Sequence, residues 1–276
     1  MTNINKYNLK LYSTLTVLFF CLNISAQTFK PSTEIGFSGG VSYYIGDLNS
    51  SHFNSAKPAI SISAKRNLDR RFSIKAELKI SSISADDRIS SDAINLDRGL
   101  HYKSNLQELS GQIEFNFLEY EIGNPAHKWS PFLFTGITIF NFNPLAENSN
   151  GEWVELQPLG TEGQGTTAYP QRKEYSRTQW SIPMGGGLKL SLSESFNILF
   201  SFSMNKTFTD YLDDVSLTYP GNPTEFTNLA SEMSDPTNSH DKDEQRGDEE
   251  LKNDWYSFTA ITFSFKLPGL SKGCDY

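Results

Sequence analysis

The sequence is poor in cysteine, histidine and basic charge, and beyond its first 22 residues it has no long apolar run. Its 276 residues include two Cys and four His. One of the cysteines, Cys21, falls in an apparent leader, so only Cys274 would remain in the mature chain and no internal disulfide could form. Cys/His zinc spacing is absent as well. Twenty-four basic residues stand against 32 acidic ones. No basic face is available to neutralise phosphates, which excludes a nucleic-acid binder. With no run of about 20 apolar residues beyond the leader, a helical inner-membrane protein is also excluded. The mean hydropathy of -0.44 is low, yet 13% of the residues are aromatic. Disordered chains are poor in Phe and Tyr because they have no core to fill. Something here buries or greases a large aromatic surface.

The N-terminus reads as a secretory signal. Lys6 and Lys10 supply positive charge, residues 11–22 are largely apolar, and Asn23-Ile24-Ser25-Ala26-Gln27 offers cleavage after Ala26. The apolar run is too short for a spanning helix, and Phe19-Phe20 stand before Cys21 where a lipobox wants small residues. Removing residues 1–26 takes two Lys and no acids, leaving 22 basic against 32 acidic residues, a net charge of -10.

Strict alternation then recurs along the chain. Ile35, Phe37, Gly39, Val41, Tyr43 and Ile45 share one face, and Glu34, Ser38 and Ser42 the other. Over 72–80, Phe72, Ile74, Ala76, Leu78 and Ile80 oppose Ser73, Lys75, Glu77 and Lys79. Over 108–118, Leu109, Ile113, Phe115 and Phe117 oppose Glu108, Ser110, Gln112 and Glu114. A helix would scatter these residues around its circumference, so a period of two means strand. Five further segments fit: 57–67, 129–142 (with Phe132, Phe134, Thr138 and Phe140 as its apolar face), 179–192, 196–206 and 254–267. The total is eight.

The connections alternate long and short. About 11 residues follow strand 1, about 20 strand 3, about 36 strand 5 and about 47 strand 7. Between these lie Asn67-Leu68-Asp69-Arg70, a moderate turn at 119–128, and Ser193-Glu194-Ser195. Short turns at one end and long loops at the other mark an outer-membrane barrel. The fold expected is all-β: a closed antiparallel up-and-down transmembrane β-barrel of about eight strands over 27–268, with a short periplasmic tail at 269–276. A closed sheet pairs every backbone group that hydrocarbon cannot hydrate. Eight strands leave room inside only for side chains. The inward set then includes Glu34, Lys65, Lys206 and a lumen ion-pair network of Lys75, Glu77, Lys79, Glu108, Glu114 and Lys189, predicting a filled lumen that conducts poorly. Trp129, Tyr120, Tyr43, Tyr44, Trp180, Tyr211, Trp255 and Tyr256 fall near strand ends, where aromatic girdles belong.

Leu156-Gln-Pro-Leu-Gly-Thr-Glu-Gly-Gln-Gly165 carries information that periodicity does not. Together with Ser42-Tyr-Tyr-Ile-Gly-Asp-Leu-Asn49, Glu114-Phe-Asn-Phe-Leu-Glu-Tyr120, Pro131-Phe-Leu-Phe-Thr-Gly136, Lys206-Thr-Phe-Thr-Asp-Tyr-Leu-Asp-Asp-Val-Ser216 and Asn253-Asp-Trp-Tyr256, it resembles the PorG-like outer-membrane β-barrel family of the type IX secretion system. The resemblance implies a non-enzymatic component in outer-membrane lipid and lipopolysaccharide, beside a periplasmic ring lipoprotein and its partner (PorK with PorN). It brings no cofactor and no catalytic residue. Within the loop motif, Gly160, Gly163 and Gly165 permit turns closed to other residues, and Pro158, between Gln157 and Leu159, stiffens the entry after Leu156.

Residues 209–254 hold 13 acidic and 3 basic residues. A calcium site would draw on Asp210, Asp213 and Asp214, against the plainer reading of a solvated, self-repelling loop. Asp241 and Asp243 match the start of an EF-hand loop, but Gly247 comes one place late and Lys252 stands where its Glu belongs. The four histidines (His52, His101, His127 and His240) fall in loops and turns with no glycine elbow around a Ser, so no enzyme is expected. Gly185-Gly186-Gly187 precedes no Lys-Ser/Thr and no helix; it would instead let a strand bend or a bulky neighbour approach.

Overall fold

Eight strands pair edge to edge into one closed ring. The computed structural model describes residues 29–90, 92–247 and 253–268. The leader at 1–26, the tail at 269–276 with Cys274, and residues 248–252 lie outside them. The chain divides into a unit at Met1–Lys30, nearly all outside the described residues, and a unit at Pro31–Tyr276 that contains everything below.

The strands are β1 (Ser32–Ile45), β2 (Lys57–Asn67), β3 (Phe72–Asp86), β4 (His101–Asn116), β5 (Trp129–Asn141), β6 (Pro144–Glu147), β7 (Trp153–Glu155), β8 (Thr178–Ser191), β9 (Phe196–Thr207) and β10 (Trp255–Lys266). The order β3-β2-β1-β10-β9-β8-β5-β4 is closed by β3 pairing with β4, and the small β6–β7 hairpin hangs on β4. Every pairing is antiparallel. The fold is a closed eight-stranded antiparallel β-barrel.

Through the middle of the barrel the alternation is inside out relative to a soluble protein. Phe37, Ile60, Leu78, Leu109, Ile137, Phe200 and Ile261 are all exposed on the outer wall. Glu34, Lys65, Glu77, Lys79, Glu108, Glu114 and Lys189 are buried inside. No helix among the described residues is long and apolar enough to cross a membrane. An exposed apolar belt around a fully paired sheet is the arrangement hydrocarbon demands.

Above this belt the chemistry of the two faces exchanges while the pleat continues unbroken. Along β3, Ile80 points out, Ser81 in, Ser82 out, and then Ile83 and Ala85 point in and are buried. On β4, Tyr102 and Leu106 face in while Lys103 and Asn105 face out. The Ser82 hydroxyl donates to Asn105 Oδ1 across the outside at 2.7 Å. Here the outside is wet and the inside is a hydrophobic core. Sequence periodicity read with one polarity therefore ended β3 at 80 and began the next strand at 108. Both strands in fact run much further, and the loop between them shrinks to 87–100.

Three other expectations need correction. In β5 the Phe face points inward: Phe132, Phe134 and Phe140 are buried, and Leu133 and Ile137 are on the outer wall. The segment is apolar on both parities, so aromatic content picked the wrong side. Glycines on β8 receive the rings: a Cβ on Gly185 would lie 2.6 Å from Phe134, and one on Gly187 3.0 Å from Phe132. The rings in turn lie beside the lumen cations, Lys189 Nζ 4.4 Å from Phe132 and Lys75 Nζ 5.2 Å from Phe134. Lys206 shares its parity with Phe196 and Phe200, so it faces out, with its ammonium 5.9 Å from the Trp255 ring. Of the girdle residues, Trp129 and Trp180 are exposed on the outer wall, but Tyr44, Tyr120 and Tyr256 are buried. Tyr43 is covered by Phe53 at 4.9 Å and His52, whose Nδ1 is 2.8 Å from its hydroxyl.

Candidate functional site: the filled lumen and its cap

The lumen charges come from alternate residues of neighbouring strands, so register puts them in one layer. Glu114 is the hub: Lys189 lies at 2.9 Å, Lys75 at 3.9 Å and Lys65 at 4.0 Å. Lys75 also meets Glu77 at 3.5 Å, and Lys79 meets Glu108 at 3.0 Å. All six network residues named from sequence thus take part in ion pairs. Glu34, paired to Lys65 at 3.2 Å, extends the set and accepts from Asn197 at 2.9 Å and Ser264 at 2.7 Å. Ser61 and Gln112 donate to Glu77 at 2.7 and 3.1 Å. Buried charges persist only when their remaining lone pairs and protons are satisfied in this way. A cavity of about 20 Å³ beside Lys65, Glu114 and Phe132 is the size of one water site.

Over the long-loop end sits a second layer that single strands could not have revealed. A hydrophobic cluster takes Tyr44 from β1, Leu48 from the first long loop, Ile83 and Ala85 from β3, and Tyr102 and Leu106 from β4. Leu100 from the second long loop, Phe140, Phe142, Ala146, Leu156, Leu212, Val215, Met233 and Tyr256 complete it. All four long loops contribute, and together they close the mouth.

Two buried arginines staple this cap. Arg98, in the short helix Ala93–Arg98, forms a two-pronged pair with Asp87 at 2.7 and 3.0 Å. It also donates to the carbonyls of Asp47 and Arg246, each at 2.9 Å, joining three loops. Arg246 donates to Glu162 at 3.1 Å, to the Asp214 carbonyl at 2.7 Å and to the Ser234 carbonyl at 3.1 Å. Glu162 accepts further from the amides of Ser216 and Leu217 at 2.9 and 3.0 Å. Sequence reasoning missed Arg246 and Glu162, because their partners lie about 80 residues apart and neither stands in an alternating segment.

The loop motif lies in this cap. Gln157, Pro158 and Leu159 form one 3-10 turn after the buried Leu156. Gly160, Gly163 and Gly165 have φ of 60, 84 and 76°, where side chains are strained. At Gly163 a Cβ would also lie 2.7 Å from the Tyr169 ring. Thr161 and Tyr175 both donate to the Asp214 carboxylate, the latter at 2.7 Å.

The three aspartates considered as a calcium set are divided by these contacts. Asp214 faces Thr161 and Tyr175, and Asp213 accepts from Tyr44 and from the Val215 amide at 3.0 Å. Among the described residues, only Asp210 of the three joins a group of carboxylates at ligand spacing, and its companions are Asp47 and Asp254. The histidines are absorbed in packing: His101 Nε2 accepts from the Glu147 amide at 3.0 Å, His127 lies 3.5 Å from Glu119, and His240 stacks on Tyr219 at 4.3 Å.

Burial pushes the Asp214 carboxyl up to about 6, against the opposing pull of Arg246 and its own hydrogen bonds. The folded value exceeds the unfolded carboxylate's, so the folded cap holds this proton more tightly. The contribution to stability is complete below about pH 4 and is lost as pH rises through about 6. Hydrogen exchange at 208–247, corrected for intrinsic rates, is therefore expected to be slower at pH 5 than at pH 7.5, with the difference reduced in Asp214→Asn. Equal protection at both pH values would contradict this.

At the opposite end, the turns 117–128 and 192–195 lie side by side. The Gly123 amide donates to Ser191 Oγ at 2.9 Å, and Arg70 joins Glu119 and Glu121 at 3.4 and 2.9 Å. Between the turns runs an open groove of about 330 Å³ lined by Asn124, Pro125, Lys128, Leu192 and Glu194.

Solved structures similar to this chain include Ail, the attachment invasion locus protein of Yersinia pestis, in complex with the heparin analogue sucrose octasulfate. It is 8% identical, with 87% of this chain and 100% of that one covered at a TM-score of 0.42. Neisserial surface protein A (NspA) is 8% identical over 86% of this chain and 99% of that one, at 0.44. The outer membrane enzyme PagL is 10% identical over 83% and 97%, at 0.32. No curated protein shows significant similarity. A family model matches residues 9–156, from the apolar N-terminal segment to the first residue of the loop motif and more than half of the chain: the protein belongs to the family described as "Domain of unknown function (DUF6089)".

Proposed function

We propose that this barrel is a non-enzymatic outer-membrane component of the type IX protein secretion machinery, PorG-like, that docks a periplasmic ring lipoprotein and its partner (PorK/PorN-like) at the outer membrane. The observation that carries this reading is that the lumen is filled with ion pairs and one mouth is covered by a packed cap. Such a barrel has no path for a solute, so its work lies on its surfaces. The apolar belt suits lipid and lipopolysaccharide. With the long loops outside, the groove between turns 117–128 and 192–195 faces the periplasm, where a ring would sit. Four of the six stretches that carry the PorG-like resemblance (42–49, 156–165, 206–216 and 253–256) meet in or just below the cap, which supports a shared architecture there.

The test is a detergent pull-down from native membranes with partners identified by mass spectrometry, alongside single-channel recording of the purified barrel. Recovery of ring lipoproteins, reduced by Lys128→Glu, with no stepwise conductance is the expected result. Stepwise conductance with no secretion component recovered would replace this reading with a narrow envelope pore.

A further inference from the structure

The outer wall of the barrel is not evenly clothed. One register row crosses it on small residues: Ala64 on β2 pairs with Ala76 on β3, Ala76 with Gly111 on β4, and Gly111 with Ile137 on β5. The next row toward the short turns runs from Arg66 through Ile74 to Ile113. The next row toward the cap is Ile62, Leu78 and Leu109, each about half exposed. Between these taller rows lies an open groove of about 640 Å³. Thr33 and Arg66 line one end, Ile74 and Ile113 one side, and Ile137 the other end.

Nothing within the chain calls for glycine at 111. Its backbone is ordinary extended strand, and a Cβ there would meet nothing within 4 Å. Gly136, on the next strand, differs: a Cβ there would lie 2.0 Å from the Gly111 carbonyl oxygen. A glycine inside a strand gives up packing and marks the close approach of another group. At Gly111 that group is no part of the described chain.

The length and ends of the groove say what covers it. It starts near the short-turn end of β2 and finishes mid-strand on β5, crossing three strand spacings of about 4.8 Å each. The hydrocarbon of one leaflet is roughly 15 Å deep, half of a core of about 30 Å. With the long loops outside, the groove runs from the periplasmic interface toward the midplane, as a lipid tail does. At its interfacial end the half-buried Arg66 donates to Thr33 Oγ1 at 2.8 Å. Among the described residues no carboxylate pairs with Arg66, whereas Arg70 has Glu119 and Glu121. The Thr33 hydroxyl accepts from the guanidinium and keeps its own proton to donate. Such a pair suits a phosphate, which a guanidinium engages through two parallel hydrogen bonds. A second copy of the chain fits this end less well, because the outward side chains of the apolar belt include no acid among the described residues.

We propose that this groove binds one glycerophospholipid of the periplasmic leaflet. An acyl chain lies over Ala64, Ala76 and Gly111, and the phosphate is held by Arg66 and Thr33. The site shares the barrel's orientation with the proposed function but is independent of any secretion role.

The test uses the full-length barrel purified in detergent and stripped of lipid. Native mass spectrometry follows its titration with dioleoyl phosphatidylglycerol and with dioleoylglycerol, which has the same chains and no phosphate. One saturable phosphatidylglycerol adduct is expected, bound at least tenfold more tightly than the diacylglycerol. Arg66→Gln should remove that preference. Gly111→Phe, whose ring fills the groove, should weaken binding of both lipids at least tenfold. Gly39→Phe is the control: Gly39 is another outward glycine with open space around it, outside the groove, and its replacement should leave binding unchanged. Gel mobility of unheated samples checks that every variant is folded. No saturable adduct in the wild-type barrel, equal binding in Gly111→Phe, an equal loss in Gly39→Phe, or a preference untouched by Arg66→Gln would overturn the proposal. So would a dimer in detergent that Gly111→Phe dissociates, since the groove would then seat a second copy.

Discussion

Glu114→Gln is expected to destabilise the barrel by about 3–5 kcal/mol, the range seen when one member of a buried ion pair is removed. The substitution keeps the shape and removes one charge. Lys189, itself fully buried, loses a partner at 2.9 Å, and Lys65 and Lys75 lose their shared counter-ion. Glu34 and Glu77 remain, but each is already engaged by its own lysine and by neutral donors. Reversible urea unfolding in lipid vesicles, followed by Trp fluorescence, gives the number. Glu119→Gln is the internal control: its pair with Arg70 is partly exposed at 3.4 Å, and such pairs contribute about 0–1 kcal/mol. Adding Lys189→Met to Glu114→Gln should recover part of the loss, since the pair then leaves together. A change below about 1 kcal/mol in Glu114→Gln would mean that water, rather than the lysines, satisfies the carboxylate.

Arg246→Ala should cost a comparable amount, about 3–5 kcal/mol, but in the cap rather than the barrel. It strands Glu162 at 0% exposure with backbone amides as its strongest remaining donors, and frees the carbonyls of Asp214 and Ser234. The segments released are 156–165 and 208–247, which Arg246 holds together. Limited proteolysis should therefore cut within these loops in the variant while the strands stay protected, and hydrogen exchange should accelerate in the same segments. The membrane strands are paired edge to edge and do not need the cap for their hydrogen bonds. Cleavage within the strands, or unchanged loop protection, would refute this division of the molecule into two layers.

The membrane layer was legible in the sequence because hydrocarbon imposes one rule on every strand: apolar out, polar in, period two. Lys75, Glu77 and Lys79 alternate with Ile74, Leu78 and Ile80, and no other local structure puts three charges on one face at that spacing. Where the rule loses contrast, as at 132–140 with apolar residues on both faces, the side could not be chosen. The rings turned inward because Gly185 and Gly187, on a different strand, leave space for them.

The cap was not legible, for a physical reason that has nothing to do with weak signals. Beyond the hydrocarbon the solvent on the outside changes from lipid to water, so the polarity of the pleat reverses between Ile80 and Ile83 without a break in the strand. Nothing in a linear pattern marks where that boundary falls. Likewise Arg246 with Glu162, and Asp47 with Asp210 and Asp254, are brought together only by loops folding over the mouth. The sequence alone determined a closed barrel, its strand number and, Lys206 excepted, the charges of its lumen, since those follow from local alternation in a uniform solvent. Which groups meet above the membrane was decided by tertiary structure, because their partners lie tens to hundreds of residues away and are selected by burial rather than by period.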